Sequence, residues 1–487
     1  MTGAVLDLRP LAPAAIVAVT GLVVLLTQAF TPRGKASPSV PIALLGLAAA
    51  LGSVWVLATG PGRGSVLAGA LAADDFSLFF HALVLGVAAI TVLLSPSYLR
   101  ANGMERGEYY ALLLFSTVGM LGLVSSLELV SLFVALEIMS IALYGMAGLH
   151  RGRPRSQESA LKYFVTGAFA SAFFLYGIAL LYGATGSTSL DKIARSVSVL
   201  SPGALPLAVL GVALLLVGFG FKVASVPFHM WAPDVYEGAP TTVTGFMSAG
   251  VKAAAFGALL RVFESALPGL ASHWQPLVGV LAIVSMVVGN LAALAQTSLK
   301  RMLAYSSIAH AGYLLAAFVA APLVAGEAML FYLVAYAAVN LGAFGALAAL
   351  SRDGKEPLAV RDLSGLADRR PALAAALTVF LVSLTGIPIT AGFVGKFYLF
   401  GAAVSVGSMG IALALVGVVM SVVSAYYYLR VVVAMYMSEP EGEDAWGPVS
   451  PASAFALAVS AALTLLLGVW PAPLLALARI AARSLVQ

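Results

Sequence analysis

Residues 218–256 read GFGFKVASVPFHMWAPDVYEGAPTTVTGFMSAGVKAAAF. They close one apolar run and open the next, and each run is long enough for the roughly 20 residues that a membrane-crossing helix needs. Each also carries a lysine well inside it, Lys222 and Lys252. Pro227, five residues after Lys222, removes a backbone donor and frees a carbonyl. At lipid depth a break of that kind is tolerated only where it is buried in protein or lines a polar cavity. The reading is a helical membrane protein with ionisable groups held inside it.

The rest of the chain agrees. Of 487 residues, 61% are hydrophobic and 10% charged, against about 25% charged in soluble domains. Lipid must be the solvent for most of this surface. Spans fall near 11–30, 40–59, 76–95, 108–126, 127–149, 159–183, 205–232, 240–265, 274–296, 300–320, 326–350, 371–402, 409–436 and 452–472. The split between spans 4 and 5 rests on Ser125 to Glu128 alone. A β-barrel is excluded because the apolar runs are continuous rather than alternating. No cleavable signal pattern precedes span 1, which reads as a retained span. The absence of cysteine excludes disulfides and thiolate-bound zinc or iron–sulfur centres.

The net charge of +5 reads as topology, not as nucleic-acid binding. With fourteen spans both termini share a side. That side carries Arg9, Arg63, Lys192, Arg195, Arg479 and Arg483. Fourteen basic residues, among them Arg33, Lys35, Arg151, Arg153, Arg155 and Lys300, fall on the other. The excess of positive charge predicts that both termini lie outside and the 351–370 loop in the cytoplasm. The acidic stretch Glu439 to Asp444 reads as a solvated loop.

Six basic residues remain inside spans: Lys162, Lys222, Lys252, Arg261, Lys396 and Arg430. Arg261 and Arg430 lie near span ends and can snorkel, as can Lys162. Lys222, Lys252 and Lys396 are too deep, and Glu137 lies mid-span as well. A charge at a span centre costs roughly 2.5–3.5 kcal/mol. Four such sites cost on the order of 10 kcal/mol, comparable to the whole stability of a domain. One fold-specifying ion pair explains a pair and not a series, so proton chemistry is the stronger reading. An ammonium stripped of water releases its proton more readily, and a neighbouring carboxylate makes it hold on. Glu137 and Lys222 are the natural partners for such an exchange. Moving one proton against 200 mV takes about 4.6 kcal/mol, within the range such shifts supply.

Span 12, LTGIPITAGFVGKF, repeats the device, with Pro388 eight residues before Lys396. Two broken helices beside buried lysines are a transporter pattern. The breaks lie five spans apart, so spans 4–8 and 9–13 form two units. An odd number of spans turns the second upside down relative to the first. The plan is an all-α polytopic membrane protein: residues 1–107 with spans 1–3, units 108–265 and 274–436, and 452–487 with span 14.

Softer candidates are His229, which follows Pro227, and His310, mid-span in KRMLAYSSIAHAGYLL. His310 reads either as a relay between Lys252 and Lys396, assisted by Ser306 and Tyr305, or as a hydrogen-bonded core histidine. His81, His150 and His273 read as interfacial, Tyr426 to Tyr428 as packing or an interface anchor, and Glu128 as solvated.

The stretch 226–256, with LEIMSIALYGM around Glu137, SLKRMLAYSSIAHAGYLL from Ser298 and LTGIPITAGFVGKFYLF around Lys396, resembles the antiporter-like membrane subunits of respiratory complex I. The resemblance runs from span 3 to span 13. DVYEGAP is the form of the N-type subunits of NADH-quinone oxidoreductase. Lys396 in place of glutamate argues against the M-type, and the lack of a lateral arm after span 14 against the L-type. The resemblance implies a proton-translocating subunit of a translocase in a bacterial cell membrane. It implies Glu137 and Lys222 as a coupling pair, Lys252 as the central relay lysine, Lys396 as the lysine of a second half-channel and Lys162 as a modulator of the pair. It places FMN, iron–sulfur clusters, NADH and quinone in partner subunits, with the other antiporter-like chains as neighbours and the redox arm as an indirect partner. A subunit of a multi-subunit cation/proton antiporter is the alternative, and a membrane scaffold the rival of another class.

Overall fold

The computed structural model describes residues 8–32, 37–60, 64–439 and 446–485. Arg33, Lys35, Arg63 and the acidic residues after Glu439 that entered the sequence reading lie outside them. Among the described residues twelve helices are long and apolar enough to cross a membrane. Two more spans complete fourteen. One is Leu299–Phe318, more polar than the others and buried along almost its whole surface. The other is span 12, split into Pro371–Thr385 and Ala391–Val404.

The expected splits are present. Span 4 ends at Ser125 and span 5 begins at Leu129, with the Glu128 side chain accepting from Ser131 N (2.7 Å). Glu128 is therefore a helix cap. Span 6 begins earlier than expected, at Pro154, where proline is preorganised for the first turn. Lys162 accordingly stands two turns inside.

Both discontinuities form where the prolines indicate. Span 7 is Leu205–Val223 followed by Trp231–Gly238. Ala224 ends the first half in a left-handed conformation (φ 59°). The carbonyls this frees accept from Ser225 N at Gly220 (2.8 Å) and from the Trp231 indole at Phe221 (3.0 Å). In span 12 the left-handed residue is Gly386 (φ 90°), and a Cβ at Gly392 would collide with the Ser383 carbonyl. Span 8, Thr241–Ala266, is continuous but has a π-helical turn at Met247–Val251, directly before Lys252. Such turns cluster at functional sites.

Spans 4–8 and 9–13 repeat in register. Leu129 N bonds Thr188 O and Leu190 N bonds Leu127 O, which ties the start of span 5 to the connection after span 6. Leu299 N bonds Leu358 O and Val360 N bonds Thr297 O, which ties the start of span 10 to the connection after span 11. Gly119 packs on the backbone of Met139, and Gly289 on the backbone of Ala309. Every member of the second set lies the same number of residues further along the chain. Spans 8 and 11 are almost wholly enclosed, whereas spans 1, 2, 13 and 14 turn most of their surface outward.

Three elements escaped the sequence reading. They are a small hairpin (Gly64–Val66 with Leu71–Ala73), a short helix Leu190–Val197 and a terminal helix Ala472–Arg483. All are shorter than a span, and an apolar-run count cannot see them.

Candidate functional site

The break in span 7 puts Lys222 in the last turn of its first half, 4% exposed. Its Nζ donates to Ser140 Oγ on span 5 (2.6 Å) and lies over the rings of Tyr163 (5.5 Å) and Tyr144 (5.7 Å). The expected ion pair with Glu137 is not formed. Glu137 stands three residues before Ser140, so the serine lies on its face one turn along. The half-buried Glu137 carboxylate instead accepts from Ser171 Oγ on span 6 (2.5 Å). Ser140 takes the ammonium and gives its own proton to the Leu136 carbonyl, while a different serine, Ser171, holds Glu137.

Lys252 is enclosed at the centre of the bundle and crosses from one unit to the other. Its Nζ donates to Ser307 O (2.5 Å) and to Ser307 Oγ. The repeat register makes Ser307 the counterpart of Glu137, and His310 the counterpart of Ser140. The two lysines thus sit at different positions of the repeat: Ser140 seats Lys222 on span 5, and Ser307, the counterpart of Glu137, seats Lys252 on span 10.

His310 is 2% exposed. Its Nδ1 meets the Tyr332 hydroxyl and its Nε2 the Tyr428 hydroxyl (3.2 Å), which in turn meets Ser306 Oγ. Tyr428 is thus part of the polar line, against the packing role the sequence indicated. Tyr427 donates to Asn290 (3.0 Å), and only Tyr426 is exposed. Ser306 joins the line, whereas Tyr305 packs against the apolar core.

Lys396 occupies the second half of span 12 and reaches back across the break. Its Nζ donates to Leu384 O and Thr385 O (both 2.9 Å) and lies 5.0 Å from the Tyr313 ring centre. A cation thereby caps the negative end of the first half-helix. The three deep lysines share one feature. Each binds neutral hydroxyls, carbonyls or rings, and none forms a salt bridge to a carboxylate among the described residues.

The remaining candidates stand apart. Lys162 bonds Glu158 (2.6 Å) and Asp234 (2.7 Å), and Asp234 binds Arg301 (2.7 Å), which reaches Glu237 (3.1 Å). Lys162 therefore belongs to an ion network joining span 6, the second half of span 7 and span 10, and does not touch Glu137 or Lys222. His229 sits in the span 7 break, its Nδ1 without a partner.

Neither span-end arginine snorkels. Arg261 is 2% exposed and grips Asp74 with both guanidinium nitrogens (2.7 and 2.8 Å). Arg430 donates to the Leu294 and Gln296 carbonyls at the end of span 9. His81 is buried against Ser125 Oγ (2.9 Å), not interfacial. Lys300, counted among loop charges, is 3% exposed and shares Glu356 with Arg153. Glu264, buried with an unpartnered Oε1, was missed as well. Their partners are remote in sequence, and span counting treats such residues as span ends.

The fold and this line of lysines define a class, and comparison with known proteins agrees. A family described as "NADH:quinone oxidoreductase/Mrp antiporter, TM" matches residues 126–424. The chain belongs to this family, and within it to the NADH-quinone oxidoreductase subunit N branch. It is 43% identical to subunit N of Trichlorobacter lovleyi, over 97% of this chain and 96% of that one. It is 44% identical to subunit N of Chloroflexus aggregans, over 99% and 97%. A chain of respiratory complex I from Thermus thermophilus superposes with a TM-score of 0.82 at 40% identity, covering 96% of this chain and 99% of that one. A chain of the Mrp complex from Dietzia sp. shares the fold (TM-score 0.85, 24% identity, 100% and 98% covered).

Proposed function

We propose that this chain moves protons across a bacterial cell membrane along Glu137, Lys222, Lys252, His310 and Lys396, driven by electron transfer from NADH to quinone elsewhere in its assembly. Supporting this is the neutral seating of the three lysines. A carboxylate partner would lock each as an ammonium, whereas a hydroxyl or carbonyl lets the charge come and go. Lys222 and Ser140, one turn from Glu137, begin the line in the first unit, residues 108–265. Lys252 hands over to the second, residues 274–436, where Ser306, Tyr428, His310 and Tyr332 lead toward Lys396. Lys162 acts through Asp234 on the span 7 break, and His229 lies beside that break.

The redox groups reside in partner subunits. This chain has no cysteine to hold a cluster, and among the described residues no group of three acids or histidines is placed to hold a metal ion. Its neighbours are the other membrane subunits, antiporter-like chains included, with the redox arm acting through them. The half-buried Glu137, flanked by exposed Val134, Ile138 and Ile141, marks a face that a neighbour covers. The excess of basic residues on the 351–370 side supports a cytoplasmic position for that side, with the termini outside.

Reconstituted complex carrying Lys252→Ala tests the reading. The subunit is expected to remain in the assembly while proton uptake driven by NADH oxidation is lost. A scaffold would behave in the opposite way, losing the assembly, and undiminished pumping would refute the relay.

A further inference from the structure

A cavity of about 570 Å³ opens on the 351–370 side, at the seam of the two five-span units. Arg153 comes to it from the first unit, Lys300 and Glu356 from the second, and Ala239 from the turn between spans 7 and 8. Lys300 is buried and lines the cavity. Its Nζ donates to Ala239 O (2.6 Å) and lies 3.8 Å from Glu356 Oε2. That second distance is too long for a direct hydrogen bond. The Glu356 carboxylate is committed elsewhere, accepting from Arg153 Nη1 (2.7 Å), the Tyr98 hydroxyl (2.9 Å) and Thr241 Oγ1 (2.5 Å). A buried lysine beside a cavity, with a carboxylate near but not bonded, has no part in the relay described above.

Its place on span 10 suggests one. Lys300 and Ser307 are seven residues apart, two turns along one helix face and about 10 Å. Ser307 is the seat of Lys252. Tyr236, three residues before Ala239, is buried close to Ser307.

We infer that Lys300 is the proton-loading group through which this cavity feeds Lys252, with Glu356 as its counter-charge. The inference rests on the relay reading and extends it to the surface. A proton from cavity water bonds to the lone pair of the neutral Lys300 amine. The ammonium then gives up one N–H proton to a water, which passes one of its own to the hydroxyls beyond. The Tyr236 oxygen gains that proton and passes its own to Ser307, whose hydroxyl proton goes to the Lys252 amine. Each hydroxyl ends with the proton count it began with, and no oxidant or reductant is needed. Glu356 stays an anion throughout, because Arg153, Tyr98 and Thr241 hold it whether Lys300 is charged or neutral.

The test uses reconstituted whole complex. Lys300→Arg keeps the charge and the helix but does not release a proton near neutral pH. It is expected to assemble, to bind its neighbours normally and to pump at least about tenfold more slowly. Pumping at the wild-type rate by this variant overturns the inference. Measuring Lys252→Ala alongside separates the two readings: if that variant stops pumping while Lys300→Arg does not, the loading role alone falls.

A second variant decides the matter even if Lys300→Arg fails to assemble. This chain has no cysteine, so Leu358→Cys places a single thiol of its own on the cavity wall. A bulky membrane-impermeant thiol reagent, applied from the cytoplasmic side, is expected to label it and slow pumping relative to treated complex lacking the introduced thiol. Complete labelling with unchanged pumping, or a thiol the reagent does not reach, overturns the inference.

Discussion

At the scale of single residues, what distinguishes the buried charges is the kind of partner each has. Lys222, Lys252 and Lys396 bind neutral atoms, whereas Arg261 is clamped to Asp74 by two short bonds. The first kind suits transport and the second holds the fold. Breaking a buried pair by removing one partner typically costs about 3–5 kcal/mol, because the other charge is left without compensation. Arg261→Met is therefore expected to deplete the subunit from membranes on mild heating, and Asp74→Asn added to it to recover part of the loss. Survival of the single variant at wild-type temperature in a membrane thermal-shift assay would show that the pair is idle. His310 offers a contrasting case. Its two ring nitrogens contact Tyr332 and Tyr428, so removing the imidazole interrupts a line of exchangeable protons. His310→Ala is expected to leave assembly intact and slow pumping by roughly a hundredfold, the size of a lost acid–base group. A rate within twofold of wild type would return His310 to the role of a core histidine.

At the scale of elements, the two broken spans place the charges at depth. Glycine is required at the span 12 break for a steric reason: a side chain at Gly392 meets the Ser383 carbonyl, and one at Gly468 on span 14 meets the Ile389 backbone. Span 14 thus lies against the opening that Lys396 caps. Gly392→Val is expected to displace the two halves and destabilise the subunit by about 1–3 kcal/mol, the usual cost of overpacking. It should also lower pumping, since the Lys396 bonds to Leu384 and Thr385 depend on that geometry. Both effects are read together, by thermal shift and proton uptake, and a change in neither would mean that the break tolerates bulk. Proline at 227 and 388 made the breaks legible. The π-helical turn before Lys252 has no comparable signal, since MSAGV contains nothing that forbids ordinary helix.

At the scale of the molecule, the 351–370 loop between spans 11 and 12 reaches across to distant spans. Glu356 on that loop bonds Tyr98 on span 3, Arg153 at the start of span 6 and Thr241 at the start of span 8, and faces Lys300 on span 10. Burial alone would push the Glu356 carboxyl up. The Lys300 charge, the Thr241 hydrogen bond, the Arg153 charge and the Tyr98 hydroxyl outweigh burial and hold it below its ordinary value of 4.5. A carboxyl lowered in the folded state adds stability above the unfolded value and loses it as the pH falls through the folded one. Hydrogen exchange in the 351–365 loop is therefore expected to stay slow down to pH 4.5 and to quicken only below it. Arg153→Ala should move that onset to higher pH. An onset above 4.5 in the wild-type chain would mean that the clasp does not hold the loop.

What the sequence determined by itself was whatever one dimension can carry. Apolar run length set the spans, prolines set the breaks, and the cost of charge in lipid singled out Glu137, Lys222, Lys252 and Lys396. Only the tertiary structure decided who meets whom. It put Ser140 rather than Glu137 on Lys222, drew Lys162 into the Asp234 network, buried Lys300 and made Tyr428 a partner of His310. The physical reason is range. Transfer from water to lipid is a property of a segment and is summed locally, whereas a hydrogen bond is decided over about 3 Å by side chains brought together from distant parts of the chain.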